Sequence, residues 1–233
     1  MPGAAEQSFG LPDYWRMLVK RGPRLPLSYF LNTHLFDILN KTDTHVWLPK
    51  DKFKNAPENF EHGVLYMSSW TSEVKRSFET LATLTRGSDD FTFIDIGSGK
   101  GKVVLLWKQL LARTKSRQRT IGIDYYDAFI KTSTLNHQKM FGGPGEFLLS
   151  DATKLRYSSF GKKLIVYLYN PFNAEILGKV LRQIDNEEVF VIYNNPVHAG
   201  LLLDNGFALV SDHSGWHPNC QTKIYKRVLN PTL

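Results

Sequence analysis

The 233-residue sequence contains a single cysteine, Cys220, so a disulfide within this chain is excluded. It also lacks any apolar run close to the roughly 18–20 residues that a membrane-spanning helix needs. Stretches such as residues 103–107 are far shorter than that. The first seven residues have neither the basic start nor the apolar stretch of a secretory signal. We therefore expect a soluble, cytoplasmic protein that does not act at a membrane.

Several motifs that would name a reaction are missing as well. His-Glu-x-x-His, Cys-x-x-Cys and Gly-x-Ser-x-Gly do not occur, so zincin, dithiol and serine-hydrolase chemistry have no basis here. His213, His217 and Cys220 have a spacing that zinc ligands use, but no fourth ligand lies near them, and we expect no metal. No tyrosine is followed four residues later by lysine, which argues against a short-chain nicotinamide-dependent oxidoreductase and leaves other types of that class open.

Charge is unbalanced towards basic residues, with 29 lysines and arginines against 22 aspartates and glutamates and a formal net charge of +7. Such an excess favours encounter with polyanions, so nucleic acid stays open as a partner, as does a non-enzymatic RNA-binding module. Part of the excess lies in two stretches, one with Arg16, Lys20, Arg21 and Arg24, the other with Arg113, Lys115, Arg117 and Arg119.

The hydrophobic pattern changes near residue 88. Before it, helical spacing dominates, as in the stripe of Val74, Phe78 and Leu81. After it, helices alternate with seven short apolar segments that we expect to be strands, at residues 91–95, 120–124, 146–149, 164–169, 189–193, 208–210 and 223–228. This alternation predicts an α/β fold with a seven-stranded, mostly parallel sheet and helices on both faces. The last two strands, joined without a helix, predict an antiparallel hairpin at one edge.

A glycine-rich loop follows the first predicted strand and runs into a helix; it reads Asp-Ile-Gly-Ser-Gly-Lys-Gly-Lys over residues 95–102. Glycines let the backbone approach a ligand closely, and the start of a helix offers free N–H groups. Neither Lys100 nor Lys102 is followed by Ser or Thr, which excludes a Walker phosphate loop. A dinucleotide fingerprint is weakened but not excluded, because Lys102 stands where its third small residue belongs.

The loop resembles motif I of the class I S-adenosylmethionine-dependent methyltransferases, and later residues fall in register with that family. Asp124 ends the second predicted strand, Asp151 and Ala152 follow the third, and Asn170-Pro171-Phe172 follows the fourth. The resemblance covers about residues 91–228 and looks like a bacterial branch of the family. It implies a Rossmann-like methyltransferase domain at residues 89–233 that binds S-adenosyl-L-methionine and releases S-adenosyl-L-homocysteine. We expect residues 1–88 to form an N-terminal helical extension or lid.

The resemblance also implies how the cofactor is held. It places Asp124 on the ribose hydroxyls, where a carboxylate accepts from two vicinal O–H groups at once. Tyr125 would lie beside the adenine, and Asp151 and Ala152 at the adenine edge, although Asp151 is also placed to cap the segment after it. The methionine portion would meet the loop, at Asp95, Gly97, Ser98, Gly99 and Gly101, and the upstream segment, at Tyr66 and Thr71.

Asn170, Pro171 and Phe172 are the residues that the resemblance connects to the reaction itself. Amino-methylating relatives carry Asp/Asn-Pro-Pro-Tyr/Phe here, whose carbonyl oxygens accept from the target nitrogen and whose ring stacks on a planar substrate. This chain has one proline of the two, and a plain structural turn is the alternative. Asn and Phe after the fourth strand are also typical of non-SET histone lysine methyltransferases. The methyl acceptor therefore stays open between protein lysine, an RNA base and a small-molecule amine.

Overall fold

The structure, a computed structural model, describes residues 10–45 and 68–228. The predicted cofactor contact at Tyr66 lies outside these residues. No strand precedes Phe91 in the part of the chain that is described, as the sequence predicted. Helices fill that part instead: α1 (Leu11–Arg21), α2 (Arg24–Tyr29), a π-helix (Phe30–His34), α3 (Leu35–Asn40) and α4 (Thr71–Leu84).

From Phe91 onward, strands alternate with helices, with bounds within a few residues of the predicted ones. The elements are β1 (Phe91–Ile96), α5 (Lys102–Thr114), β2 (Thr120–Asp124), α6 (Asp127–Phe141), β3 (Phe147–Leu149), β4 (Lys163–Tyr169), α7 (Ala174–Gln183), β5 (Glu188–Asn194), α8 (Ala199–Asp204), β6 (Phe207–Ser214) and β7 (Gln221–Arg227). Two short 3-10 turns, Ala152–Lys154 and Tyr157–Phe160, replace a helix between β3 and β4.

The seven strands form one sheet in the order β3-β2-β1-β4-β5-β7-β6. The first five are parallel, and β7 runs antiparallel to both β5 and β6, so the predicted sheet and closing hairpin are confirmed. After β1, the chain adds β2 and β3 on one side of that strand and then crosses to its other side to form β4. Ligands of open α/β sheets bind at this switch point, outside the carboxyl ends of the strands.

Two apolar layers cover the sheet, and alternate residues of β4 enter opposite layers because strand side chains point to alternate faces. Val166 and Leu168 belong to the layer that contains α7 and α8, whereas Ile165 and Tyr167 belong to the layer that contains α4 and α5. Phe36 of α3 joins the second layer. The N-terminal helices therefore share a core with the sheet, and the division of the chain at residue 88 stays a prediction.

Candidate active site

A cleft of about 550 Å³ opens at the carboxyl ends of β1, β2 and β4; we call it the larger cavity. Residues that follow four different strands meet there, because parallel strands end at the same edge of the sheet. The lining residues are Ile96, Gly97, Ile123, Asp124, Tyr125, Ser150, Asp151, Ala152, Pro171, Phe172 and Ile176. Seven residues that the resemblance singled out are thus brought into one cavity, and most of its remaining wall is apolar.

Gly97 also borders a second cavity of about 290 Å³, which we call the polar cavity. Its lining comes from β1, the glycine loop, the start of α5, the end of β4 and the two residues that precede Trp70. The lining residues are Ser68, Ser69, Asp95, Gly97, Ser98, Lys102, Val103 and Tyr169. Of these, Asp95, Gly97 and Ser98 were predicted as site residues, whereas the sequence analysis missed Ser68, Ser69 and Lys102.

Asp124 is the acidic residue of the larger cavity, and the backbone holds its carboxyl group from two sides. The Gly99 N–H donates to its Oδ2 at 2.8 Å and the Tyr126 N–H to its Oδ1 at 2.9 Å. Burial raises the pKa of Asp124 to about 6, and backbone hydrogen bonds from Tyr126, Gly99 and Tyr125 oppose that rise. A carboxylate has about four acceptor positions, so with these three backbone donors one remains for a hydroxyl group of a ligand.

Gly97 has to be glycine for two reasons. Its φ of +80° lies in the left-handed region, and a Cβ on it would stand 2.9 Å from the Cβ of Pro171. The glycine loop after β1 therefore packs directly against the turn after β4, which joins the two sides of the switch point. Gly101 has a packing reason to be glycine: its φ is +88°, and a Cβ on it would collide with Ser133 and Phe147. Gly101 borders neither cavity, and its contact with the cofactor stays a prediction.

Two ionisable side chains of opposite type lie buried in the polar cavity. Burial raises the pKa of Asp95 well above its ordinary value, and the neighbouring charge of Asp124 raises it further. Burial lowers the pKa of Lys102 to about 7, although the charge of Asp37 opposes that shift. The Lys102 ammonium group donates to the backbone oxygen of Asn32 in the π-helix at 2.5 Å. The polar cavity is thus closed in part by contact with the N-terminal helices.

Residues of the turn after β4 differ in whether they line the larger cavity. Pro171 and Phe172 are part of its wall, but Asn170 borders neither cavity. Asn170 adopts a left-handed φ of +41°, and its Oδ1 accepts from the hydroxyl of Tyr193 at 3.2 Å. Asn173, the residue after Phe172, caps α7 by accepting from the Ile176 N–H.

Two other predicted contacts have structural partners. The Asp151 Oδ1 accepts from the Thr153 N–H and hydroxyl, so Asp151 caps the 3-10 turn while also lining the larger cavity. The hydroxyl of Thr71 donates to the backbone oxygen of Asn32 at 2.8 Å. Thr71 borders neither cavity and ties the start of α4 to the π-helix.

Within residues 10–45 and 68–228, no group of three or more His, Cys, Asp and Glu side chains is arranged to hold a metal ion. Of His213, His217 and Cys220, the last two contact each other: the His217 N–H donates to Cys220 Sγ at 3.3 Å, and that Sγ donates to the His217 oxygen at 3.1 Å. Among the described helices, none combines the length and apolar character required to cross a bilayer.

No protein-family model matches the sequence, and no curated protein matches it either. Solved structures do resemble it. MtNAS in complex with MTA and tNA has a TM-score of 0.51 and 13% identity, over 68% of this chain and 61% of that chain. An RNA methyltransferase from Salinibacter ruber in complex with S-adenosyl-L-homocysteine has a TM-score of 0.44 and 15% identity, over 68% of this chain and 94% of that chain. Magnesium protoporphyrin IX methyltransferase (ChlM) from Synechocystis PCC 6803 with bound SAH has a TM-score of 0.46 and 10% identity, over 88% of this chain and all (100%) of that chain.

At 13% identity the likeness to MtNAS concerns the fold alone. The strand order, the antiparallel β7 and the glycine loop at the switch point agree with the fold that the sequence predicted. The chain has a Rossmann-like α/β fold with an antiparallel last pair of strands.

Proposed function

We propose that this chain is an S-adenosylmethionine-dependent methyltransferase that methylates a nitrogen atom. The observation that carries the proposal is the pair of adjoining cavities that meet at Gly97. One is largely apolar with a buried carboxyl group at its wall, and the other is polar with both an acid and a lysine. A nucleoside joined through sulfur to an amino acid requires two contiguous sites of these two kinds.

The residues present fit such a cofactor. Asp124 retains an acceptor position for a ribose hydroxyl, while Tyr125, Asp151 and Ala152 lie in the same wall and would meet the adenine. Asp95, Gly97 and Ser98 line the polar cavity, where the amino-acid portion would lie. Gly99 supports this arrangement through Asp124, and Gly101 by letting α5 start close to α6. When bound, S-adenosylmethionine supplies an electrophilic methyl group on a sulfonium centre.

The acceptor would be held by the turn after β4, which packs against Gly97 through Pro171. The Asn170 oxygen is oriented by the Tyr193 hydroxyl and would accept a hydrogen bond from the target nitrogen. Phe172 would support a planar group. Such a site acts mainly by orientation, because an oriented nucleophile needs little additional acid–base help. Tyr169, at the end of β4, lines the polar cavity and adds an aromatic wall near this turn.

Protein lysine, an RNA base and a small-molecule amine are the acceptor classes that we propose to test. The net charge of +7 favours a polyanionic acceptor, since it raises the rate of encounter with nucleic acid. Two basic stretches, one in α1 and α2 and one in and after α5, would contribute to that attraction. The N-terminal helices would cover the cofactor's amino-acid end and shape the acceptor site.

Calorimetric titration with S-adenosylmethionine, S-adenosylhomocysteine and NADH in parallel tests the proposal. We expect micromolar binding of the first two, lost in Asp124→Ala because the ribose hydroxyls lose their acceptor. Asp127→Ala is the matched control, since Asp127 pairs with Lys131 at the exposed start of α6 and borders neither cavity. Binding of NADH alone would overturn the methyltransferase proposal in favour of a nicotinamide enzyme. If none of the three ligands binds, and the protein binds RNA with an affinity that falls steeply as salt is added, an RNA-binding module would be favoured instead.

A further inference from the structure

The polar cavity brings together groups that have no complete set of partners within the described residues. Ser68 and Tyr169 line this cavity, and their hydroxyls are buried without a hydrogen-bond partner. Buried polar groups in folded proteins are paired as a rule, and an unpaired one costs about 1–3 kcal/mol. Two such groups around one small cavity indicate that a polar ligand completes them.

The lining of this cavity includes one acidic and one basic residue. Asp95 and Lys102 are 3% and 2% exposed, and both line the same space of about 290 Å³. An ammonium group has three N–H donors, and the bond from Lys102 to the Asn32 oxygen uses one of them. One acid and one amine in an enclosed space match a ligand that itself carries one ammonium and one carboxylate, which is the chemistry of a free α-amino acid end.

We propose that Lys102 binds the carboxylate of the cofactor's amino-acid end, opposite Asp95, which faces the amino group. The polar cavity then selects a zwitterion and discriminates against nucleoside ligands that lack the carboxylate. This inference rests on the proposed function, because it assumes that an S-adenosyl amino acid occupies the two cavities. Lys102, which in the sequence only argued against the Walker and dinucleotide motifs, would then determine which ligands the polar cavity accepts.

The electrostatics of the free protein agree with this assignment. Burial penalises the charged form of Lys102 and of Asp95, so each pKa shifts towards the neutral form. A bound zwitterion would supply the missing opposite charge to both groups at once, which restores their charged forms. The groups that surround Lys102 are Asp37 of α3, Phe36 below its ammonium, His34, His45, Asp95 and Tyr169. Of the charges among them, that of Asp37 opposes the shift of Lys102.

Lys100 provides the contrast within the same loop. It is equally buried, but its ammonium pairs with both carboxylate oxygens of Asp43, at 3.0 and 3.1 Å, and it borders neither cavity. Lys100 thus fastens the N-terminal segment to the glycine loop without facing the proposed ligand. Lys100→Met is therefore the matched control for Lys102→Met, since each removes one buried ammonium from the same loop.

The first test uses the unmodified protein and three ligands: S-adenosylhomocysteine, its decarboxylated analogue and 5′-methylthioadenosine, which lacks the amino acid. Calorimetry should show S-adenosylhomocysteine binding about 10- to 100-fold more tightly than the decarboxylated analogue, the range expected for one charge-assisted hydrogen bond. In Lys102→Met the affinity for S-adenosylhomocysteine should fall to that of the analogue, whose own affinity stays unchanged. Lys100→Met should preserve the discrimination.

A second measurement detects the uptake of a proton when the ligand binds. Because burial lowers the pKa of Lys102 to about 7, part of the free protein carries a neutral Lys102 at pH 7.5, and binding of the carboxylate should draw a proton onto it. Titrations in buffers of different ionisation enthalpy should show more proton uptake with S-adenosylhomocysteine than with its decarboxylated analogue. The comparison isolates the carboxylate because both ligands carry the amine. This difference should disappear in Lys102→Met and persist in Lys100→Met.

The outcomes separate the inference from the function on which it rests. Equal affinity and equal proton uptake for the two ligands in the unmodified protein would overturn the role of Lys102 and leave the methyltransferase proposal intact. Failure of both S-adenosylmethionine and S-adenosylhomocysteine to bind would overturn the proposed function itself. If Lys102→Met does not fold, the two-ligand comparison on the unmodified protein still decides.

Discussion

The two cavities that meet at Gly97 are built in different ways. Residues that directly follow the strands line most of the larger cavity, so the register of one sheet places its lining. The polar cavity takes its lining from β1, α5, β4 and the residues before α4, and Lys102 in it is anchored to the π-helix. The first cavity is a property of the sheet, whereas the second depends on how the N-terminal helices dock against it. Damage to that docking should therefore affect one end of the cofactor and spare the other.

The largest effect is expected where the two cavities share a residue. Gly97→Ala combines a left-handed φ with a Cβ only 2.9 Å from Pro171, so we expect a loss of about 2–4 kcal/mol in the free energy of unfolding. Binding of both S-adenosylhomocysteine and 5′-methylthioadenosine should be lost. Gly142→Ala is the control, because Gly142 has a similar φ with nothing within 4 Å and should cost only about 1 kcal/mol. Equal losses from urea unfolding of the two variants would contradict the contact with Pro171.

Asn170 lies outside both cavities, so its loss should separate turnover from cofactor binding. We expect Asn170→Ala to bind S-adenosylhomocysteine normally and to transfer labelled methyl groups about 10- to 100-fold more slowly, through loss of orientation. Bulk RNA, protein and polyamines serve as acceptors in this assay, with Asn205→Ala, at the end of α8, as the control. A parallel loss of cofactor binding would move Asn170 from the acceptor site to the cofactor site.

Acidification should weaken the binding of 5′-methylthioadenosine, a ligand of the larger cavity alone. The pKa of Asp124 is about 6, and protonation removes the acceptor that the ribose hydroxyls need. Affinity should therefore fall by up to about tenfold per pH unit below pH 6, as measured by calorimetry from pH 7.5 to 5. Asp124→Asn should bind weakly at every pH. A flat profile in the unmodified protein would exclude Asp124 as the ribose acceptor.

The same pKa shift has a consequence for the stability of the unliganded protein. Because the folded-state pKa of Asp124 is raised above 3.8, the group stabilises the fold below the unfolded-state pKa. That contribution is lost as the pH rises through about 6. Denaturant unfolding across this range, with and without S-adenosylhomocysteine, should show that the ligand stabilises the protein more at neutral pH than at pH 5.

The smallest effect should come from the docking of the N-terminal helices. The Asn32 side chain accepts from the Ser72 N–H at 2.9 Å and so ties the π-helix to the start of α4. Asn32→Ala should lower the free energy of unfolding by only about 1 kcal/mol. The substitution should weaken the binding of S-adenosylhomocysteine more than the binding of 5′-methylthioadenosine, because the polar cavity depends on this contact. If the two ligands lose affinity equally, the two cavities do not differ in their dependence on the N-terminal helices.

The strands and most of the larger cavity were predictable from the sequence for a local reason. Buried parallel strands read as short apolar runs, and a glycine-rich loop between strand and helix is recognisable without knowledge of its surroundings. Asp124, Asp151 and Phe172 could be named because each stands at the end of such a run or within three residues after it. The order of the runs also predicted the closing hairpin, which the sheet confirms.

Other features arise from contacts between distant parts of the chain. Gly101 was expected at the cofactor, yet a Cβ there would collide with Ser133, and nothing near Gly101 in the sequence indicates that neighbour. Ser68 and Lys102 share a cavity although 34 positions separate them in the chain. Lys102 carried no signal of its own, because a lysine after a glycine loop is ordinarily solvated and only burial beneath the N-terminal helices changes its chemistry.

The sequence by itself determined the sheet, its switch point and the carboxyl group of Asp124, because periodicity and residue type act locally along the chain. Only the tertiary structure decided which side chains enclose the polar cavity and which of two lysines in one loop borders it. The physical reason is that burial, and with it the shifted pKa of Lys102, is produced by helices that fold back from more than fifty residues upstream.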